Sequence, residues 1–339
     1  MRQIAYFFLT ILIALIFHNA SLISYGVGQA VGQLKIVWNA QPIEKYLQQE
    51  SVPDSLRQKL VFIEKVRHYA VNELGLNDSE NYTTIYDQKG EPLLWVVTGC
   101  KPFSFEAKQW KFPVLGSVPY KGFFDLDKAS KELARVKDEG YDAGIRTVGG
   151  WSTLGWFNDP ILSNMLHRSN GSLANLIIHE LVHSTVFVKD SVEFNENLAS
   201  FIADKGAIAF MKNKYGESSD EYTAYLKELN DEKVYVDHIL RGVEQLESLY
   251  LSINDRPMEE KEEKKRSLIE NIMQSTDTLS LYNNNFLTFV KGQVPNNTYF
   301  MSFMRYRSKQ DQLDSIYSKR YNARVKPFVD YLKNKHPYL

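Results

Sequence analysis

Cysteine is almost missing from this chain. Cys100 is the single one among 339 residues, which excludes an internal disulfide framework and any cysteine-rich metal cluster. Nothing nearby is expected to activate its thiolate, so it reads as a small core residue rather than a nucleophile. An excess of charge is also missing. Forty Lys and Arg stand against 41 Asp and Glu, for a net charge of −1, and this removes the electrostatic case for nucleic acid or an acidic surface as partner. Internal repeats and low-complexity tracts are absent, and the length suits one large domain with an ample core. Histidine is scarce too, at seven residues, which makes the position of each one informative.

Two of the seven, His179 and His183, lie four residues apart in Ile177-Ile178-His179-Glu180-Leu181-Val182-His183. On a helix they project from one face, one turn above the other. Their imidazoles can then share one metal ion, with Glu180 beside the pair as a carboxylate able to deprotonate water. Such a pattern arises by accident in about one chain in a hundred. The flanking Leu173, Leu176, Ile177, Ile178, Leu181 and Val182 predict a buried helix, with Ser172 as N-cap. Two histidines and a glutamate on a buried helix are costly unless something satisfies them. A catalytic zinc takes three protein ligands and leaves a fourth position open. Glu196 is the choice for the third, on a second helix where small residues (Ala199, Ala203, Gly206, Ala207) predict close approach to the first. Glu193 is the rival ligand, and Asn195 is expected to cap or orient the site.

Residues Gly149-Gly150-Trp151-Ser152-Thr153-Leu154-Gly155-Trp156-Phe157-Asn158-Asp159-Pro160 precede the histidine motif, and Phe194-Asn195-Glu196 follows it. With Tyr25-Gly26-Val27-Gly28-Gln29, Val118-Pro119-Tyr120-Lys121-Gly122 and Val294-Pro295-Asn296-Asn297, this set resembles the bacterial Putative aminopeptidase family, a gluzincin-like group, over nearly the whole chain. The resemblance implies a zinc-dependent peptidase with His179, His183 and Glu196 as ligands and Glu180 as base. Many members carry a lipoprotein cysteine after the apolar amino terminus, whereas no cysteine precedes Cys100 here.

The rest of the chain predicts an α+β fold, predominantly helical: a zincin-like core with a small mixed sheet and an appended helical hairpin. Residues 1–25 read as a signal-anchor, since the uncharged apolar run 4–17 follows Arg2. This predicts an inner-membrane anchor with the body, residues 26–339, on the periplasmic side, or secretion after cleavage. Residues 33–74 have helical periodicity broken at Val52-Pro53-Asp54. Segments 82–86, 93–98, 103–105 and 141–148 read as strands, 112–120 as a loop and 127–139 as a helix closed by Gly140. The hairpin is expected within 213–275, its mixed-charge run 259–266 being a solvated face. His238, on that hairpin, reads as a packing histidine.

Trp156 and its neighbours are expected to wall a substrate pocket, or to seat the metal helix. An aminopeptidase needs an acid for the substrate ammonium, for which Asp159 and Glu193 are candidates. Hydrolysis also needs a donor for the carbonyl oxyanion. Tyr299, Arg305, Tyr306 and Arg307 are available, and Tyr306 is the choice. The expectation is one Zn2+ ion and a peptide substrate, with an envelope endopeptidase or a non-catalytic zinc scaffold as the alternatives.

Overall fold

The computed structural model describes residues 20–112, 116–147, 158–284, 287 and 294–336. The apolar run 4–17 and residues 149–157, including Trp156, lie outside them. No helix of the described residues is long and apolar enough to cross a membrane.

In chain order the elements are α1 (Ala20–Asn39), β1 (Gln41–Pro42), α2 (Ile43–Leu47), α3 (Asp54–Asn72), β2 (Thr84–Tyr86), β3 (Trp95–Cys100), β4 (Trp110–Phe112), β5 (Gly116–Val118), β6 (Lys121–Phe123), α4 (Leu126–Asp138), β7 (Asp142–Thr147) and β8 (Ile161–Leu162). A 3-10 turn at Ser163–His167 leads to α5 (Asn170–His183), α6 (Val192–Tyr215), α7 (Asp220–Ser252) and α8 (Met258–Gln274), then to α9 (Asn297–Arg307), α10 (Gln310–Tyr321) and α11 (Val325–Lys335). The fold is α+β and predominantly helical. Its strands form an antiparallel sheet β6-β3-β7, a mixed sheet β1-β2-β8 and the hairpin β4-β5. Residue Cα partners Trp95 and Thr147 open the β3–β7 register and Cys100 and Asp142 close it.

Helices α5 and α6 form the centre of the main core. On α6, Ala199, Ala203 and Ala207 are fully buried, and a Cβ on Gly206 would stand 2.7 Å from Leu74 Cδ1 and 3.3 Å from Ile178 Cγ2. Small side chains thus set the distance between the two helices, as their spacing predicts. The start of α5 differs from expectation. Ser169, not Ser172, is the N-cap, and its Oγ accepts from the Ser172 N–H at 3.1 Å. The extra turn brings Gly171 into the helix, where a Cβ would lie 2.1 Å from Tyr225 Cδ2 and 2.8 Å from its Cβ. Gly171→Val therefore forces α5 and α7 apart. We expect a loss of about 1–3 kcal/mol, typical of overpacking, read as a lower urea midpoint at unchanged slope.

Three segments depart from their sequence reading. Residues 103–105 form no strand. Phe103 and Phe105 lean instead on the Tyr250 ring, at 5.8 and 6.1 Å between centroids. The side chain of Asn297 takes up the nearby carbonyls, donating from Nδ2 to Lys101 O at 3.0 Å and Pro102 O at 3.2 Å. Aromatic alternation here records burial rather than ladder pairing. The supposed loop 112–120 supplies the ends of β4 and the strand β5. Within 33–74, the short strand β1 intervenes between helices and pairs with β2.

The hairpin α7–α8 appears where predicted. It encloses a second apolar cluster of Tyr235, Ile239, Val243, Leu246, Ile269 and Ile272, closed by Phe300 of α9. His238 Nε2 lies 2.8 Å from Ile272 O, a packing role within the hairpin.

A third cluster joins α4 to the antiparallel sheet, and Glu132 is its buried charge. Its carboxylate accepts from Trp110 Nε1 at 2.7 Å, Lys121 Nζ at 3.3 Å and Arg135 Nη2 at 2.5 Å. Burial alone would raise its pKa, but Arg135, Trp110 and Lys121 outweigh that and hold it at about 2. A depressed carboxyl pKa stabilises above its unfolded value and loses that contribution as pH falls toward the folded one. We expect about 1–2 kcal/mol, after solvent screening, to vanish between pH 4.5 and 2. Comparing urea midpoints at pH 7 and pH 3 checks this, and Glu132→Gln should reduce the pH dependence across that window.

Candidate metal centre

Helix α5 carries His179 and His183 on its last turns, and α6 carries Glu196 on its second. A turn joins the two helices and is pinned from both sides by one side chain. Asn195 accepts from the Val188 N–H at 2.9 Å and donates to Val188 O at 2.8 Å. With the turn fixed, Glu196 faces the histidine pair. Glu196 Oε2 lies 3.2 Å from His179 Nε2 and 3.3 Å from His183 Nε2, and the two Nε2 atoms are 3.1 Å apart. Among the described residues these three side chains form a group able to hold a metal ion.

The triangle fits a tetrahedral ion. Two ligands about 2.0–2.1 Å from a tetrahedral centre stand about 3.3 Å apart, close to all three edges seen here. Two nitrogens and a carboxylate oxygen are also a donor set that suits zinc. The site sits at the carboxyl end of α5, where the helix dipole favours a cation.

The electrostatics couple all four groups. Burial alone would push the His183 imidazole down, but the Glu196 carboxylate, helped by Glu180, outweighs it and raises its pKa. Burial would raise Glu196, yet His183 and His179 hold it well below the usual carboxylate range. Glu180, only 8 % exposed, is raised chiefly by burial and partly restrained by the two histidines. A carboxylate pushed toward neutrality beside a cluster of ligands is poised to accept a proton.

Tyr306 reaches this centre from α9, its ring centroid 6.3 Å from that of His179. Its hydroxyl accepts from Arg146 Nη2 on β7 at 3.5 Å. The neighbouring Arg305 is buried, 5 % exposed, with its guanidinium carbon 5.7 Å from the centre of the Tyr120 ring. Asn197, one residue after Glu196 and fully buried, holds this end of α9 in place. Its Nδ2 donates to Arg305 O at 2.6 Å and its Oδ1 accepts from the Lys309 N–H at 2.8 Å. Residues 195–197 thus fix the turn, present the carboxylate and anchor the opposite wall.

A model of the family described as Putative aminopeptidase matches residues 24–335. The chain belongs to this family. Membership supports peptidase function in general and peptide as the substrate class. No curated protein and no solved structure matches the chain.

The remaining sequence candidates are distributed unevenly around His179, His183 and Glu196. Glu193 points away, its side chain 54 % exposed and 2.9 Å from Lys309 Nζ. Asp159 is buried, and its backbone N–H donates to Asn81 Oδ1 at 2.9 Å. Tyr299 bonds to Tyr235 within the hairpin cluster, and Arg307 pairs with Asp204 and Glu232. Trp156 lies outside the described residues.

Arg146, Asn197 and Tyr82 escaped sequence reasoning. Tyr82 is non-glycine yet has φ 63°, a strained conformation for a bulky residue. Its backbone N–H donates to Asp159 O at 2.7 Å. Its buried hydroxyl has no hydrogen-bond partner, and the charges of Glu180 and Asp159 reach it. Asn197 alone had a sequence signal, its place beside Glu196.

Proposed function

We propose that this chain is a zinc-dependent peptidase, an aminopeptidase by its family, with His179, His183 and Glu196 as the metal ligands and Glu180 as general base. The observation that carries the reading is the equal-edged triangle of His179, His183 and Glu196, whose sides match a tetrahedral ion. Zinc held there would supply Lewis acidity, polarising the scissile carbonyl and making water acidic near neutral pH. Glu180 takes the proton of the attacking water as the C–O bond forms and the carbonyl opens, then delivers it to the amine nitrogen, which departs as the C–N bond breaks and the carbonyl re-forms. Tyr306, held by Arg146, donates to the carbonyl oxygen as negative charge grows on it. Asn195 and Asn197 keep the carboxylate and the tyrosine wall in register. Trp156 is assigned to the wall of the substrate pocket.

The core around α5 and α6 is zincin-like in this reading, and α7–α8 is an appended hairpin within one catalytic domain over 26–339. The apolar run 4–17 anchors the chain in the inner membrane with the catalytic body in the periplasm. Metal analysis of the purified chain, joined to a peptide-library cleavage screen, tests the function. We expect about one zinc per chain, as one such ligand set implies, and cleavage that stops when the metal is chelated. Absence of both would overturn the reading.

A further inference from the structure

The tyrosine wall of the metal centre holds more positive charge than hydrolysis needs. Arg305 is 95 % removed from solvent by burial, and among the described residues its Nη2 has no hydrogen-bond partner. It is not satisfied by a carboxylate of its own, unlike Arg307 two residues on, which pairs with Asp204 and Glu232. The Tyr120 ring lies against it, and the charge of Arg146, which donates to the hydroxyl of the adjacent Tyr306, reaches it. The charge of Glu196 also reaches it, but that carboxylate lies within 3.3 Å of both histidines and is engaged there. A buried guanidinium that also feels a second cation is unfavourable unless an anion offsets the two charges. Arginine's planar fork suits a carboxylate in particular. Of the two acids the sequence offered for a substrate ammonium, Glu193 faces Lys309 and Asp159 is buried.

We infer that Arg305 and Arg146, with Tyr120 behind them, form a subsite for a carboxylate of the substrate. The inference rests on the peptidase reading above and names the substrate class of the same site: peptides that place a carboxylate near the scissile bond. That carboxylate comes either from the chain end of a very short peptide or from an acidic side chain. Arg305 is the inner donor, aligned from below by the ring of Tyr120. Arg146 is exposed and already donates to Tyr306, so it links the anion to the group that faces the scissile carbonyl.

The test is calorimetric binding to the full chain carrying Glu180→Gln, which prevents turnover. The probes are trialanine, trialanine amide and the amide in which glutamate replaces the last alanine. Trialanine, the glutamate amide, or both should bind about tenfold or more tighter than trialanine amide, the usual gain from a charge-assisted pair. A preference limited to trialanine assigns the chain-end carboxylate, and one shared by the glutamate amide assigns any nearby carboxylate. Arg305→Met should erase the preference and Arg305→Lys should keep part of it. Arg146→Met, at an exposed position where folding is not in question, should weaken the preference as well. The inference is overturned if all three probes bind alike, if none binds, or if the preference survives both methionine variants. The unmodified chain with the same peptides separates the two readings. Cleavage without carboxylate preference removes the subsite and leaves the peptidase. Carboxylate-dependent binding without any cleavage does the reverse.

Discussion

Glu180→Gln lowers kcat/KM for peptide hydrolysis by about 10²–10⁴-fold, the usual worth of a general base, while metal content is unchanged. Glutamine keeps the volume and hydrogen-bonding reach of the side chain but cannot accept the proton of water. The variant also leaves His179, His183 and Glu196 untouched, so loss of rate cannot be charged to loss of metal. Stability supplies an internal control. Burial raises the Glu180 pKa in the folded chain, and a raised carboxyl pKa opposes folding at pH values above the unfolded one. Removing that carboxylate should leave the metal-free chain as stable as before, or more so, at pH 7. Steady-state kinetics, metal analysis and a urea titration on one preparation decide the matter; full activity in the variant would end the general-base assignment.

Glu196→Gln should weaken zinc binding by about 10²–10³-fold. Structural zinc sites bind with about 10–16 kcal/mol over four ligands, hence about 3–4 kcal/mol for each. The same change has a second signature in the metal-free chain, opposite in sign to that of Glu180→Gln. Glu196 lies well below the ordinary carboxylate range because His183 and His179 overcome its burial. Its contribution to stability is therefore present above the unfolded carboxylate pKa and is lost on acidification, and the variant lacks it at pH 7. His183, whose pKa Glu196 raises against the effect of burial, should return toward lower values. Imidazole titration followed by NMR on metal-free protein reads that shift directly. In the unmodified chain the raised His183 pKa means protons compete with zinc at higher pH than at a free imidazole, so the apparent zinc affinity should start to fall at a higher pH than an unperturbed histidine would give. Competition with a chromogenic chelator across pH measures both effects. An unaltered zinc affinity in Glu196→Gln would exclude this carboxylate as a ligand.

Helix α5 was legible because its information is local. Four residues of spacing put His179 and His183 on one face, and apolar flanks announced a buried helix. Small residues at 199, 203, 206 and 207 announced close packing against it. The hairpin α7–α8 and the closure of α4 at Gly140, where φ is +83°, followed from periodicity and turn chemistry of the same short range. Reading Phe103 and Phe105 as a strand failed because alternating aromatics satisfy both a ladder and a core, and only the position of Tyr250 and Asn297 decides between them.

The amino-acid sequence by itself determined the two imidazoles, the acid beside them and the helices that carry them, since each depends on backbone periodicity within a few residues. Tertiary structure alone decided what surrounds that centre: Arg146 beside Tyr306, 160 residues apart, Asn197 gripping the chain at Arg305, 108 residues apart, and Tyr82 strained against Asp159. Contacts over such separations leave no period in the chain; they exist only once burial of the α5–α6 core has brought α9, β7 and the segment before β2 to the same place.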